Sequence, residues 1–301
     1  VVAGSFLATA VLVGALVVGD SVQHTLEQFT LSRLGRVAYS LPSPERFFLA
    51  SLADRVRDDV GVEVAAVLQV RGLAETPDAS RRVNQLQVIG VDAAFWELSP
   101  SGGGPVQPPK GDRVVVNQAC AERLGVGEGD AFVLRLAKPS LVPADVPLSD
   151  RESRTVARRV QVTTIASPAV FGGFTLSTTQ STPPTVFTDR GWLAERIGRP
   201  GRSNVILVGG AMSEHERLEE GQLATALDRS LRLRDVGLRL SATDDDVLLQ
   251  SERIFLDPAV VAAAEEAVPG AQGILTYLAN EIRAGDRSTP YSFVSAPGPP
   301  R

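Results

Sequence analysis

The most constraining feature of the sequence is its N-terminal stretch, Val1 to Gly19, which contains no charged residue. A helix of this length, at about 1.5 Å per residue, spans on the order of 28 Å, close to the thickness of the bilayer hydrocarbon core. We therefore predict a transmembrane helix over residues 1–19. A signal peptide would need a basic n-region, a shorter apolar core and an A-x-A-like cleavage site, and the stretch runs into Asp20-Ser21-Val22 with no such site. A buried helix of a soluble domain is the remaining alternative.

An amphipathic segment follows the apolar stretch. Its apolar residues recur at intervals of three to five and are Val22, Leu26, Phe29 and Leu34. We predict that the helix continues out of the bilayer as a stalk over residues 20–36 and stops near Gly35. Later apolar runs are shorter than about 18 residues and are interrupted by charge, which predicts one anchor followed by a large soluble part.

Composition excludes several function classes. The chain has 35 acidic and 30 basic residues and no basic block, so we predict that it does not bind nucleic acid. Cys120 is the single cysteine, and the two histidines, His24 and His215, are too far apart for a zinc-ligand spacing. Met212 is the single methionine, so we expect the chain to be a piece of a longer or processed protein.

The soluble part begins and ends with complementary patterns. The first predicts a strand at 37–41, a helix from the cap Ser43 to Asp58, and strands at 62–70 and 82–91. The second predicts a strand at 204–208, a helix from the cap Ser213 to Leu231, and a strand at 238–240. Together they predict an α+β fold with a split β-α-β sandwich of ferredoxin-like type.

Residues 99–203 differ in composition from the segments on either side of them. We predict that they form an inserted β-rich subdomain. The loop 99–105 is rich in Gly and Pro, and a second Pro-rich stretch covers 138–147. Elements predicted within and after this insert are strands at 113–117, 131–136, 159–165 and 184–187, helices at 118–124, 191–197 and 257–268, and strands at 273–282 and 291–295. The predicted domains are thus a transmembrane helix (1–19), a stalk (20–36), a first porter-like half (37–98), the insert (99–203), and a second porter-like half with the start of a further segment (204–301).

Two motifs could suggest ligand chemistry, and both have a simpler structural explanation. In residues 114–136, Gly125 fits a helix C-cap, Gly127 and Gly129 fit a tight turn, and Asp130 can accept local amide hydrogen bonds. These glycines follow a helix rather than precede one, which does not suit a phosphate cradle. The run Asp244-Asp245-Asp246 lacks the EF-hand spacing and is interpreted as a solvated loop.

We assign no catalytic, cofactor-binding or metal-ligating residue. His215 lies between Glu214 and Glu216 on a charged helix and His24 lies on the stalk, and neither has a nucleophile motif near it. Cys120 is interpreted as a small buried hydrophobe. The segment Phe171-Gly172-Gly173-Phe174 is interpreted as a bulged turn with core anchors, with a mobile aromatic tip that grips a partner as the alternative.

Several ordered segments resemble the FtsX/MacB-like permeases of ABC transporters, specifically their extracytoplasmic core domain. They run through nearly the whole chain. The matching segments are Gly19-Asp20-Ser21-Val22, Leu31-Ser32-Arg33-Leu34-Gly35-Arg36, Val88-Ile89-Gly90-Val91-Asp92 with Phe95-Trp96, Val116-Asn117-Gln118 with Leu124-Gly125-Val126 and Gly129-Asp130, and Thr276-Tyr277-Leu278-Ala279-Asn280 with Pro290-Tyr291-Ser292.

The resemblance implies a non-catalytic permease domain anchored in the inner membrane, with its soluble part extracytoplasmic. It implies an ABC ATPase as partner, on a separate chain or domain, because this chain lacks a Gly-x-x-x-x-Gly-Lys-Ser/Thr motif. It also implies contact with the membrane, a second permease copy, and a lipoprotein, lipid, peptide or envelope protein as substrate, with no cofactor. A secreted or single-pass anchored enzyme, and a membrane-tethered adhesion or sensor domain, are the alternatives.

Overall fold

The computed structural model describes residues 21, 31–43, 46–105, 107–139, 155–177, 179, 181–210, 218–242, 246–253 and 255–297. The chain divides between Gly237 and Leu238 into two compact units, which are described separately. The predicted transmembrane helix over 1–19 and most of the predicted stalk lie outside the described residues. Among the residues that are described, no helix is both long and apolar enough to cross a bilayer.

The first unit is built on an eight-stranded mixed sheet with the order β1-β10-β3-β4-β8-β5-β7-β6. A short ladder pairs β2 with β9. The strands are β1 (Val37–Pro42), β2 (Phe48–Leu49), β3 (Val64–Glu75), β4 (Arg82–Val91), β5 (Arg113–Asn117), β6 (Ala131–Ala137), β7 (Thr155–Ala166), β8 (Thr185–Asp189), β9 (Arg202–Ser203) and β10 (Val205–Gly209).

The helices that the structure describes in this unit after residue 36 are short. They are α1 (Ser51–Val60), α2 (Ala93–Glu97), α3 (Gln118–Leu124), α4 (Arg190–Arg196) and α5 (Glu220–Ser230), with 3-10 segments at Pro168–Val170 and Leu233–Val236. The described part of the second predicted helix begins at Glu220, where Glu219 and Gln222 form a capping box. Its predicted cap, Ser213, lies outside the described residues.

The prediction that a helix begins at the cap Ser43 is wrong. Phe48 pairs with Ser203 in an antiparallel ladder, which keeps the chain extended before the helix. The helix therefore begins at Ser51 and ends at Val60, where Gly61 takes the left-handed conformation (φ +69°) that closes a helix C-terminus.

One layer of the unit consists of β1, β10 and β3, with α1 and α5 packed on it. β10 is antiparallel to both β1 and β3, so β1 and β3 run parallel and are connected through α1. Val56 of α1, Val64 of β3 and Ile206 of β10 are nearly fully buried in this layer. Buried Asp235 binds the Arg55 guanidinium and accepts from the Arg232 amide at 2.7 Å, which ties α1 to the segment after α5.

The other strands close into a barrel. β3 pairs with β10 through residues 64–67, with β4 through 68–75 and with β6 through 72–75, so β3, β4, β8, β5, β7 and β6 form a ring. Side chains alternate along each strand: Val114 and Val116 of β5 point into the barrel core, whereas Val115 joins an aromatic cluster on the other side. One sheet thus contains strands from both sides of the predicted boundary between residues 98 and 99. The predicted bounds of the domains are not tested by this and stay predictions.

In its described residues, the second unit contains two hairpins and a helix. The hairpins are β11 (Leu238–Ala242) with β12 (Val247–Ser251), and β13 (Ile274–Ala284) with β14 (Arg287–Pro297), and the helix is α6 (Pro258–Ala267). The predicted helix at 257–268 and strands at 273–282 and 291–295 agree with these elements. The chain as a whole has a mixed α+β fold.

Candidate functional site: the stalk joint

The structure describes the C-terminal end of the predicted stalk, residues 31–36. Residues 31–34 are helical, and the Gly35 amide donates to the Leu31 carbonyl at 3.1 Å. Gly35 has φ +59°, a left-handed conformation that stops a helix and favours glycine. A helix therefore ends at Gly35, as predicted, whereas a continuous stalk over residues 20–36 stays a prediction.

The chain is held tightly where the stalk enters β1. The Arg36 amide donates to the Leu98 carbonyl at 2.8 Å, and the Arg36 carbonyl accepts from the Gly210 amide at 2.8 Å. A Cβ on Gly35 would lie 2.6 Å from the Leu98 oxygen and 2.9 Å from the Phe171 ring. The backbone therefore passes through a gap that admits no side chain. We call this region, Gly35 and Arg36 with their contacts, the stalk joint.

An aromatic cluster lies under the joint. Its members are Phe95, Trp96, Phe171, Phe174 and Phe187, and Phe95 is central: its ring centroid lies 4.7 Å from that of Phe171, 5.0 Å from Trp96, 5.3 Å from Phe174 and 5.9 Å from Phe187. Tilted and edge-to-face ring pairs at such distances are favourable beyond the area they bury. Leu34 packs against the larger hydrophobic cluster that contains these five rings. The joint thus rests on a densely packed base.

The turn at 171–174 anchors this base. Phe171 is left-handed (φ +62°) after the 3-10 segment, and the Gly172 amide donates to the Ser167 carbonyl at 2.8 Å. Phe171 and Phe174 are 1% and 2% exposed. The interpretation of this segment as a turn with core anchors is confirmed, and its alternative, a mobile aromatic tip, is wrong.

Segments of the family resemblance that are distant in sequence meet at the joint. Leu34 and Gly35 come from the stalk motif, and Phe95 and Trp96 from the motif that begins in β4 and continues into α2. No local sequence pattern brings these segments together. The sequence analysis did not predict that these segments meet. The one sequence signal for their contact is that both are among the segments that resemble the permease family.

An acidic side chain flanks the joint at the end of β10. The Gly209 amide donates to the Glu63 carbonyl at 2.8 Å, and the Glu63 carboxylate lies 3.4 Å from the Arg57 guanidinium. Burial raises the pKa of Glu63, Glu97 adds to the rise, and Arg57 opposes it. Acidification therefore protonates Glu63 more readily than an ordinary glutamate and weakens its bond to Arg57.

The glycine-rich motif has the structural role predicted for it. Gly125 is the left-handed C-cap of α3 (φ +66°), and its amide donates to the Ala121 carbonyl at 2.7 Å. The Asp130 carboxylate accepts from the Gly127 amide at 2.8 Å. The Val162 amide donates to the Asp130 carbonyl at 2.9 Å, so the turn continues into β6 beside β7.

The other residues considered from the sequence are mostly not described. His24, His215, Asp244 and Asp245 lie outside the described residues. Of the three-aspartate run, the structure therefore describes Asp246 and not its two neighbours. Within the ranges that the structure does describe, no group of three or more His, Cys, Asp or Glu could hold a metal ion.

We expect Cys120 to be inert towards thiol reagents in the folded protein. Its side chain is fully buried, and burial raises the pKa of its thiol to about 12 despite the opposing effect of Arg123. Because the thiolate is the reactive form, labelling at pH 8 should be at least roughly 1000-fold slower before unfolding than after it. Release of a chromogenic thiol with and without denaturant measures this ratio, and fast labelling of the folded protein would contradict the expectation.

Comparison with known proteins found a likeness of structure and none of sequence. No family model matches the sequence, and no curated protein matches it. The fold is similar to that of two transporter domains. One is the periplasmic region of MacB from Actinobacillus actinomycetemcomitans, with TM-score 0.43 and 8% identity over 80% of this chain and 97% of that one. The other is the extracellular domain of the noncanonic ABC-type transporter YknZ from Gram-positive bacteria, with TM-score 0.37 and 10% identity over 62% and 86%.

Proposed function

We propose that this chain is the extracytoplasmic part of an FtsX/MacB-like ABC permease, and that it is non-catalytic. It receives movement through its stalk and uses that movement to handle a substrate or partner outside the membrane. The observation that carries the proposal is the stalk joint. A flexible linker would absorb a displacement, whereas Gly35 and Arg36 are held by backbone hydrogen bonds and close packing. The meeting of two resemblance motifs at this joint is further support.

The energy for this movement comes from an ABC ATPase on a separate chain or domain. The anchor lies in the inner membrane beside a second permease copy, and the soluble part faces away from the cytoplasm. The substrate class is a lipoprotein, lipid, peptide or envelope protein. Within this proposal, the chain consists of a transmembrane helix (1–19), a stalk (20–36), two porter-like halves (37–98 and 204–301) and a β-rich insert (99–203).

The stalk provides the direct test. The sequence from Ser21 to Leu34 contains no Pro or Gly, so a continuous helix there can act as a stiff lever. Changing Leu26 to Pro removes a backbone donor and adds a ring clash, at a local cost of about 3 kcal/mol. In the full-length transporter we expect normal expression and nucleotide binding, with loss of transport or partner release.

A matched control is Gln28→Ala, which keeps helix propensity and should be nearly silent. Both variants are compared for membrane insertion, nucleotide binding and transport in the same preparation. If the Leu26→Pro protein inserts, folds and transports at the full rate, the stalk is not a lever, and the soluble part is instead a passive docking platform.

A further inference from the structure

A short segment, which we call the strap, lies between the stalk and the barrel. The structure describes it over residues 171–177, 179 and 181–183. On its stalk side, the Arg33 guanidinium donates to the Thr179 carbonyl at 2.8 Å. The aliphatic part of Arg33 lies beside Gly173, and the Phe171 ring lies against Gly35. The stalk end therefore contacts the strap at several points.

On its barrel side, the strap is bound by one buried amide. Nδ2 of Asn117 donates to the Gly172 carbonyl at 3.1 Å and to the Pro183 carbonyl at 2.8 Å, so it holds both ends of the strap. Oδ1 of Asn117 accepts from the Cys120 amide of α3 and the Thr185 amide of β8, each at 2.9 Å. Both amide donors are thereby used, and the oxygen accepts twice.

This arrangement makes Asn117 a rigid connector. Its side chain is fully buried, and a buried polar group with all its hydrogen bonds made has one favourable orientation. Three elements meet at it: the N-terminus of α3, which follows it directly, and the strap and the start of β8, which come more than fifty residues later. Displacing the strap relative to the barrel requires these bonds to break.

We infer that Asn117 is a positioning residue that fastens the strap to the barrel, so that movement of the stalk end is passed to β8 and α3. The source of the movement rests on the proposed function, whereas the fastening can be tested without it. A second route exists, because Arg36 leads directly into β1 and from there to β10. The first route runs from the stalk end through the strap to the barrel. Among the described residues, Asn117 hydrogen-bonds to the strap, α3 and β8, and it therefore lies on this first route.

The informative substitution is Asn117→Asp. A carboxylate keeps the acceptor that caps α3 and binds Thr185, but it cannot donate to the Gly172 and Pro183 carbonyls. Burial and the two facing carbonyl oxygens should raise the pKa of the new carboxyl against the opposing effect of the two amide donors, so acidification would protonate it and restore one donor. Charged side chains on the surrounding elements are exposed or lie at the opposite strand ends, and these are Glu122, Arg123, Arg113, Arg158, Arg159 and Asp189.

The chain contains a matched control for this substitution. Asn204 is also buried, at 2% exposed, and makes a similar amide pair: Nδ2 donates to the Gln69 carbonyl and Oδ1 accepts from the Gln69 amide, both at 2.8 Å. It lies between β10 and β3, away from the strap. Asn204→Asp therefore makes the same chemical change at similar burial on the other route.

The measurement is the distance distribution between two spin labels in the full chain, at Ser32→Cys on the stalk and Glu122→Cys on α3. Both positions are exposed, and buried Cys120 should not take up label. We expect the Asn117→Asp protein to show a distribution at least about twofold broader at pH 8, which narrows again at pH 5. The Asn204→Asp protein should match the unsubstituted protein at both pH values.

If Asn117→Asp leaves the distribution unchanged, or if Asn204→Asp broadens it equally, the inference is overturned. Should Asn117→Asp fail to fold, Arg33→Met removes the stalk-side hydrogen bond from a less buried position and should broaden the distribution, and no change there would also overturn the inference. A nucleotide-dependent shift of this distance in the complete transporter tests the proposed function separately. If the unsubstituted protein shows no such shift, the proposed function is contradicted. The role of Asn117 is then judged separately, from the distance distributions at pH 8 and pH 5.

Discussion

Replacing Phe95 by Ala should lower the free energy of unfolding by about 3–5 kcal/mol, the usual cost of deleting a buried phenylalanine ring. Phe95 has no exposed surface, and it contacts four other aromatic rings. The cavity would lie under the stalk joint, so we expect the joint to loosen as well. Urea unfolding followed by fluorescence reports this directly, because Trp96 packs edge-on against Phe95.

Phe255→Ala is the control for this change. Phe255 is 68% exposed, so the same deletion there should cost within about 0.5 kcal/mol. If the two variants have equal midpoints and slopes in urea, the aromatic cluster does not support the joint.

Gly172→Ala should destabilise the protein by about 3 kcal/mol, at the upper end of the usual range for overpacking. A Cβ at this position would overlap the Ala166 carbonyl oxygen and lie 2.8 Å from the Ser167 carbonyl carbon. Both are backbone atoms, so the turn itself must shift. Thermal unfolding of the purified variant measures the loss of stability. A larger exposed fraction of the Phe171 and Phe174 rings would show that the turn itself has shifted.

The neighbouring glycine provides the comparison. At Gly173 a Cβ would meet the Arg33 Cγ at 3.3 Å, which belongs to a flexible side chain that can move aside. Gly173→Ala should therefore be tolerated within about 0.5 kcal/mol. Equal losses at the two positions would show that the crowding around Gly172 does not determine the stability of the turn.

Local chemistry in the sequence predicted much of the barrel and little of the joint. The strand, helix and turn from Arg113 to Leu136 follow from three consecutive valines, a glycine C-cap and turn glycines, all of which act over a few residues. The aromatic cluster does not follow in this way, because Phe95, Phe171 and Phe187 are far apart in sequence and only tertiary packing joins them.

The wrong prediction of where helix α1 begins has the same cause, a contact between residues far apart in sequence. Ser43 followed by Pro44 is a good local start signal. A ladder between Phe48 and Ser203, 155 positions away, determines the conformation instead. Asn117 was assigned correctly to the end of a strand, but its bonds to Gly172 and Pro183 depend on a strap that arrives more than fifty residues later. Such contacts leave no periodic signal in the sequence.

The continuity of β3 restricts how this fold can be recombined. Residues 64–67 of this one strand belong to the layer with α1, and residues 72–75 close the barrel against β6. The predicted insert, residues 99–203, contains β6 and is therefore not a removable cassette: cutting it out would leave Ala74 of β3, which is fully buried, facing water beside unpaired backbone groups. A chimera that exchanges barrels between related domains has to exchange β3 whole, together with the face it presents to α1. The two layers are thus constrained to diverge together, because neither can acquire a new β3 without the other.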